Sequence, residues 1–559
     1  MRTNARTKRT IRRRRGHRRR WLAVLLVVAV ALGAGGYLMA RGDDGNGTGV
    51  ALDDKGPPPE ACTNTPPEVL QRVRRGFYPG RSGDVLAVER LPNQFGTRHS
   101  TPWPYTQDIP IVLYGPGYIK QGFTSVEDVT LADIAPTYAE LLDFDGLGER
   151  DGRSLGEALL PPERRNGVPK LILTVVWDGG GINMLEQWPD SWPHLEALME
   201  ESASFSNATV GSSPSITPAT HATLGTGDFP KSHGLTDIRM RVGGKLIDAW
   251  RGDSPANFEV KTLADLWDRA NGNVPLIGTL ARDYWHLGMM GHGSYLDGAD
   301  QDIAVLDSLD SLEYASIAEY YTFPEYLDLD GLETAVQELD QRDGEADGEW
   351  LGNPLRMDHT IRETPAWSML QTRRLFQLLE TEGFGADDVP DLFFTNYKPT
   401  DLAGHTWNIV EPEVRDNLEE QDRQLELIVE GLNDLVGEAN YVLALTADHG
   451  MTPYPEVTEG WPIDMDKLAK DLEERFNSDN QNKKLVTAAR GYQFFLDSKI
   501  MRANGVTRED VAAFIRNYRL YENVANPKDV PERYRDRLGE RLYLTAMSPA
   551  ELRRPGCDN

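Results

Sequence analysis

Three segments of the chain are unbroken apolar runs that end abruptly in charged or glycine-rich turns. Leu171-Ile-Leu-Thr-Val-Val-Trp177 runs into Asp178-Gly-Gly. Leu392-Phe-Phe-Thr-Asn-Tyr397 runs into Lys398-Pro-Thr-Asp401-Leu-Ala-Gly-His405, and Tyr441-Val-Leu-Ala-Leu-Thr-Ala447 into Asp448-His449-Gly450. Runs of this length without polar alternation suit strands covered on both faces. Further strands are predicted at Asp84–Val88, Ile109–Tyr114 and Arg541–Thr545. Helical spacing of Leu131, Ile134, Tyr138, Leu141 and Leu142 predicts a helix over Thr130–Leu142. A longer one is predicted over Glu413–Leu435, burying Val414, Leu418, Leu425, Ile428, Leu432 and Leu435. Strands separated by helices predict an α/β fold, with a central mixed, mostly parallel sheet flanked by helices.

Composition changes the picture at the ends. The first 20 of 559 residues hold 11 Arg and Lys and no acid, and residues 21–40 carry no charge. About 20 apolar residues span a bilayer, and a basic flank keeps the N-terminus in the cytoplasm. Residues 1–20 therefore read as a cytoplasmic leader and 21–40 as a single-pass signal anchor with the catalytic part outside the cell. The alternative is a signal cleaved near Ala31–Ala34, giving a secreted protein. Residues 41–61 read as a flexible linker, 62–165 as one segment and 166–559 as the main body, with an acidic insertion around 300–360. The formal charge is −28, and without the leader 48 bases face 87 acids, near −39. Such a surface repels nucleic acid in bulk, so an anionic substrate must be attracted locally. The two cysteines, Cys62 and Cys557, lie near the ends of that body. Export permits a disulfide between them, and the alternative is two unpaired thiols.

The three strand ends carry the candidate chemistry. Open α/β sheets build sites beyond the carboxyl ends of their strands. Asp178, Asp401, His405, Asp448 and His449 would all arrive at one edge, as a two-metal hydrolytic centre requires. Asp401 and His405 face one side if a helical turn begins there. The glycines after Asp178 let the backbone turn away sharply. In Ser213-Pro-Ser-Ile-Thr217-Pro-Ala-Thr-His221-Ala-Thr, Thr217 would open a helix whose free N–H groups favour an anion. It is the candidate nucleophile, and the plainer reading makes it only a helix cap.

Together these motifs resemble the alkaline phosphatase superfamily, in its nucleotide pyrophosphatase/type I phosphodiesterase branch. The resemblance implies an alkaline-phosphatase-like fold and two divalent metal ions, zinc in the family. One would be held by Asp178, Asp448, His449 and the Thr217 oxygen. The other would be held by Asp401, His405 and a histidine from the family's C-terminal part. This chain has no histidine after His449. Instead Gly96-Thr-Arg-His99, followed by a strand and by Asp133-Ile-Ala-Pro-Thr, resembles that C-terminal segment. The resemblance therefore implies a circular permutation, with His99 as the missing ligand. A Cys62–Cys557 bond would then reconnect the chain near the break.

The implied activity is hydrolysis of phosphodiester or pyrophosphate-type bonds in a phosphorylated small molecule or polymer, through a phosphothreonine. Where the family often has an Asn for a phosphate oxygen, this chain has Asp237, and the Lys-x-Arg pair of monoesterases is missing. Arg282 and Lys398 are the candidates to contact substrate in its place. Sulfatases are excluded, because neither cysteine lies in a Cys-x-Pro-x-Arg motif. The alternatives are a phosphomonoesterase on the same metals and a metal-stabilised binding protein without catalysis.

Overall fold

The computed structural model describes residues 60–554, apart from 251–253, 308–311, 479–482, 491, 525, 527 and 529. Two sheets organise them. The strands in chain order are β1 (Val85–Glu89), β2 (Ile111–Tyr114), β3 (Phe123–Thr130), β4 (Leu171–Trp177), β5 (Ala203–Thr209), β6 (Ile277–Ala281) and β7 (Asp302–Asp307). They continue with β8 (Tyr314–Ala315), β9 (Tyr321–Thr322), β10 (Asp391–Tyr397), β11 (Tyr441–Thr446), β12 (Val486–Arg490), β13 (Gln493–Leu496) and β14 (Tyr543–Met547). The large sheet has the order β8-β7-β6-β10-β4-β11-β2-β5-β3, with β9 paired to β7. Strands β7, β6, β10, β4 and β11 are mutually parallel, while β2 is antiparallel to both its neighbours. The sheet is thus mixed and mostly parallel, as the strand pattern predicts.

Alternation along the central strands shows why they read as continuous apolar runs. Ile172, Val176, Leu392, Phe394, Val442 and Ala444 pack on one face. Leu171, Leu173, Val175, Phe393, Leu443 and Leu445 pack on the other. Both faces are covered by helices, so neither can be polar. Each fully buried Leu, Val or Phe contributes about 1.5–3 kcal/mol, which fixes the register of the whole sheet. The helices that matter below are α1 (Ile134–Leu141), α2 (Thr217–Thr226), α3 (Leu263–Ala270), α4 (Pro365–Glu382), α5 (Pro399–Thr406) and α6 (Pro412–Leu435). In α6, Val414, Leu418, Leu425, Ile428 and Leu432 are buried as expected, but Leu435 at its end is 37% exposed. The helix predicted over Thr130–Leu142 opens as a 3-10 turn, Leu131–Asp133, and is α-helical only over Ile134–Leu141.

The small sheet, β12-β13-β1-β14, is antiparallel and packs a separate core around Val85, Phe494 and Ala546. Strand β1 pairs with β14 through Leu86–Met547, Ala87–Ala546 and Val88–Thr545. Residues from the two ends of the described chain are therefore neighbours. The expected acidic insertion is less separate than its composition suggests. Its first residues, Asp302–Asp307, are a largely buried strand of the main sheet.

The expected membrane localisation is corrected. Among the described residues, no helix is long and apolar enough to cross a membrane. The segment read as an anchor, 21–40, lies outside the described residues, and so does Cys557. Cys62 is buried.

Candidate metal centre

Register decides the geometry of this site. Tyr397 pairs with Trp177, and Thr446 pairs with Val176, so the three central strands end level. Asp178, Lys398 and the Asp448-His449 pair consequently leave the sheet at one height. Gly179 makes the turn possible. Its φ is +71°, and a Cβ there would lie 3.1 Å from the Asp401 Cα. Its N–H donates to Asp448 Oδ1 at 3.1 Å. Helix α5 begins just after Lys398 and places Asp401 and His405 one turn apart, with His405 Nε2 3.3 Å from Asp401 Oδ1.

His99 reaches the same edge by a different route. Because β2 runs antiparallel to β11, with Ile111 opposite Thr446, the residues preceding β2 emerge at the catalytic edge. His99 Nδ1 donates to the Ser215 carbonyl at 2.7 Å, leaving Nε2 3.7 Å from Asp401 Oδ1. Helix α2 supplies Thr217 as its first residue. The helix cap is Ile216 and no side chain caps it, so the Thr217 hydroxyl is not consumed in capping. All of α2 is buried.

Two groups of ligand-type atoms result: His99, Asp401 and His405, and Asp178, Asp448 and His449, each with atoms within 4.8 Å of one another. A third, Asp178 with His221 and His286, overlaps the second. Hydrogen bonding separates them. His221 donates Nδ1–H to the Thr217 carbonyl at 2.9 Å, and its Nε2 accepts from Asn396 Nδ2 at 3.0 Å. Both its nitrogens are engaged. His449, by contrast, directs Nδ1 to the Gly450 carbonyl at 3.0 Å, and its buried Nε2 makes no hydrogen bond but lies 3.2 Å from Asp448 Oδ2 and 3.5 Å from Asp178 Oδ1. Asp401 Oδ1 and Asp448 Oδ2 are likewise buried and accept no hydrogen bond, although imidazole nitrogens of His405 and His449 lie 3.3 Å and 3.2 Å from them. Buried polar atoms are nearly always satisfied, so three orphans converging on one edge fit bound cations.

Electrostatics agree. Burial lowers His99 well below its ordinary range, with the His449 ring adding to the effect. Burial likewise pulls His449 down to about 4, so both rings are neutral and ligand-ready. Burial acts to lower His405, but the Asp401 carboxylate outweighs it and the net direction is up. For Asp448, burial and then the Asp178 carboxylate raise the acid well above its ordinary range. Against three buried carboxylates stands one ammonium. Lys398 Nζ lies 2.7 Å from Asp178 Oδ1, 2.7 Å from Asp401 Oδ2 and 3.5 Å from Thr217 Oγ1. Like charges this close cannot all ionise unless further cations join them.

The expected metal-site residues thus converge on one edge, together with Thr217. Lys398 joins the carboxylates of the two groups, while Arg282 lines the cavity above. That cavity, of about 380 Å³, is lined by His99, Thr217, Asp401 and His405, and also by Asp237 and Arg490. Asp237 accepts from the Ile238 N–H at 2.7 Å and Gln493 Nε2 at 3.2 Å, and burial raises it to about 6. Sequence reading missed Asn396, whose Nδ2 also donates to Asp178 Oδ2 at 3.0 Å. The available signal was an amide in an otherwise apolar strand. His286 Nε2, 3.5 Å from the same oxygen, was missed as well.

Comparison with known proteins accords with this geometry. The model of the type I phosphodiesterase / nucleotide pyrophosphatase family matches residues 172–546, more than half of the chain. Alkaline phosphatase PafA of Elizabethkingia meningoseptica is 22% identical over 411 residues, 64% of this chain and 74% of that protein. A protein of Myroides odoratus named a calcium-transporting ATPase is 24% identical over 418 residues, 65% of this chain and 76% of that protein. A crystal structure of PafA superposes with a TM-score of 0.50 at 17% identity, covering 68% of this chain and 84% of that one. The chain belongs to the type I phosphodiesterase / nucleotide pyrophosphatase family of the alkaline phosphatase superfamily, and it is a phosphoester hydrolase.

Proposed function

We propose that the protein cleaves phosphodiester or pyrophosphate-type bonds using two divalent ions, zinc by the character of the donors, and Thr217 as covalent nucleophile. Three imidazoles and three carboxylates, grouped as two sets of three, form the donor chemistry that zinc prefers. Asp178, Asp448 and His449 would hold one ion, next to Thr217, and His99, Asp401 and His405 the other. Bound there, the ions would ease deprotonation of a hydroxyl and stabilise charge on phosphoryl oxygens.

The observation that carries the reading is the uncapped Thr217 hydroxyl, 4% exposed, at the start of α2 and on the cavity wall. Pro218 has no N–H, and Ala219 and Thr220 donate theirs to the Ile216 carbonyl, so it is the positive end of the helix dipole that would favour a phosphoryl oxygen there. Thr217 gives its proton to solvent, its oxygen adds to phosphorus, and the bond to the leaving oxygen breaks. Water then cleaves the phosphothreonine and restores the hydroxyl. Asn396 and Lys398 hold Asp178 in place throughout. Thr217→Ala should retain both metals and the native Tm, yet lose turnover of bis(p-nitrophenyl) phosphate by about a thousandfold or more. Substantial residual turnover would mean another nucleophile. A second reading, as a phosphomonoesterase, draws on Lys398 and Arg282 both lining the cavity. Faster turnover of p-nitrophenyl phosphate than of its diester would favour it.

We also read residues 62–165 as the counterpart of the family's C-terminal part. The pairing of β1 with β14, the approach of His99 to Asp401, and a family match that begins only at residue 172 all support this. A Cys62–Cys557 disulfide belongs to the same reading, and mass analysis of a non-reduced digest tests it.

A further inference from the structure

A second group of carboxylates lies away from the catalytic edge. Asp268 sits near the end of α3, and Asp300 and Asp302 sit at the start of β7. Strand β7 runs parallel to β6, which runs parallel to β10, so its first residues lie at the sheet edge opposite the catalytic one. An oxygen from each of the three acids lies within 4.8 Å of the others. Asp268 is only 4% exposed, and its Oδ1 is buried without a hydrogen-bond partner. Among the described residues, no Lys, Arg or His forms an ion pair with any of the three. Nearby groups are committed elsewhere: Asp265 holds His292 Nδ1 at 2.7 Å, and Asn273 Nδ2 donates to the Gly298 carbonyl at 3.1 Å.

We propose that Asp268, Asp300 and Asp302 bind a divalent cation of the calcium type, distinct from the catalytic metals. Oxygen-only donors suit a hard cation and disfavour zinc, which prefers nitrogen and sulfur. Oxygens around calcium lie at about 2.3–2.6 Å from the ion, so three oxygens all within 4.8 Å of one another can reach a single ion. Magnesium demands a tighter octahedron. Without a cation, the group must hold a proton. Burial, then the Asp300 carboxylate, pushes Asp268 up to about 7, and burial with Asp268 pushes Asp302 well above its ordinary range. A cation would relieve both and tie the start of β7 to α3, across the loop that carries His292.

The test uses the full chain loaded with zinc, with calcium chloride as the only added ligand. Calcium should raise Tm by about 2–5 °C, and calorimetry should count one calcium per chain that remains with zinc saturating. Asp300→Asn with Asp302→Asn should abolish that equivalent and the Tm rise, while turnover of bis(p-nitrophenyl) phosphate stays within about twofold. Asp300→Asn alone, at an exposed position, serves if the double variant does not fold. Equal calcium binding in wild type and variant would overturn the proposal. So would a wild type indifferent to calcium whose Tm instead rises as pH falls through 7, which is the behaviour of acids sharing a proton.

Discussion

The His99 ring stacks on the His449 ring, with centroids 3.4 Å apart and planes inclined by 15°. Each ring is locked by its Nδ1–H on a main-chain carbonyl, Ser215 for one and Gly450 for the other. Two stacked imidazoles tolerate such contact only when neutral, and neutral rings with free Nε2 atoms are what cations bind. The contact joins the segment before β2 to the end of β11, so the centre exists only when both are folded together.

His99→Ala should therefore cost more than one side chain. Its loss leaves Asp401 and His405 as the only pair in their group. Metal content measured after gel filtration should fall by one equivalent per chain, and turnover should drop by about a hundredfold or more. Retention of two metals with full turnover would exclude His99 from the centre.

Lys398→Met tests the ammonium among the carboxylates. Removing it leaves Asp178 and Asp401 buried without their nearest cation, which typically destabilises by about 3–5 kcal/mol. The loss should be large in metal-stripped protein and much smaller once zinc is restored, as read from urea unfolding. Equal losses in both states would mean that metal and ammonium do not share the same carboxylates.

Glu89 gives a pH signature. It is 1% exposed, its Oε2 has no partner, and burial raises it to about 7 despite the Thr101 hydrogen bond. A carboxyl raised from 4.5 to about 7 binds its proton more tightly when folded. Its contribution is fully present below pH 4.5 and is lost as pH rises to about 7, where the deficit levels off near 3 kcal/mol. Glu89→Gln should flatten that decline in melts between pH 5 and 8. An unchanged slope would assign the decline to other groups.

Burial of His449 contributes with the opposite sign. Its pKa falls from 6.5 to about 4, so its stability contribution is complete above pH 6.5 and lost as pH falls toward 4. His449→Gln in metal-stripped protein should lessen the acid-side loss of Tm. The same acid sensitivity in wild type and variant would count against a buried neutral ring.

Gly179→Ala should disturb the centre without replacing a ligand. A left-handed alanine costs about 1–2 kcal/mol, and its Cβ would press on Asp401. Lower zinc affinity together with a lower Tm is expected from equilibrium dialysis and melting. Unchanged zinc affinity would show that the turn has room to spare.

Much of the site was legible in local sequence. An apolar run followed by Asp, or by a helix-opening turn with Asp and His four apart, fixes which residues leave a strand end. Thus Asp178, Asp401, His405, Asp448 and His449 could be read directly, and Thr217 from its place at the opening of a helix. The α/β class followed from the same runs, because a strand covered on both faces has no polar alternation to show. His99 could be reached only through resemblance, since nothing near it in sequence marks it. Its position depends on β2 running antiparallel to β11, a pairing between residues far apart in the chain. The same holds for Lys398, read as a possible substrate contact and found between two carboxylates. It holds equally for Asn396, and for the meeting of Asp268 with Asp300 and Asp302. Local pattern determines what a residue does to its own segment. Which charge faces which, and which buried atom is left without a partner, is decided by register and packing between segments, and those interactions exist only in the folded chain.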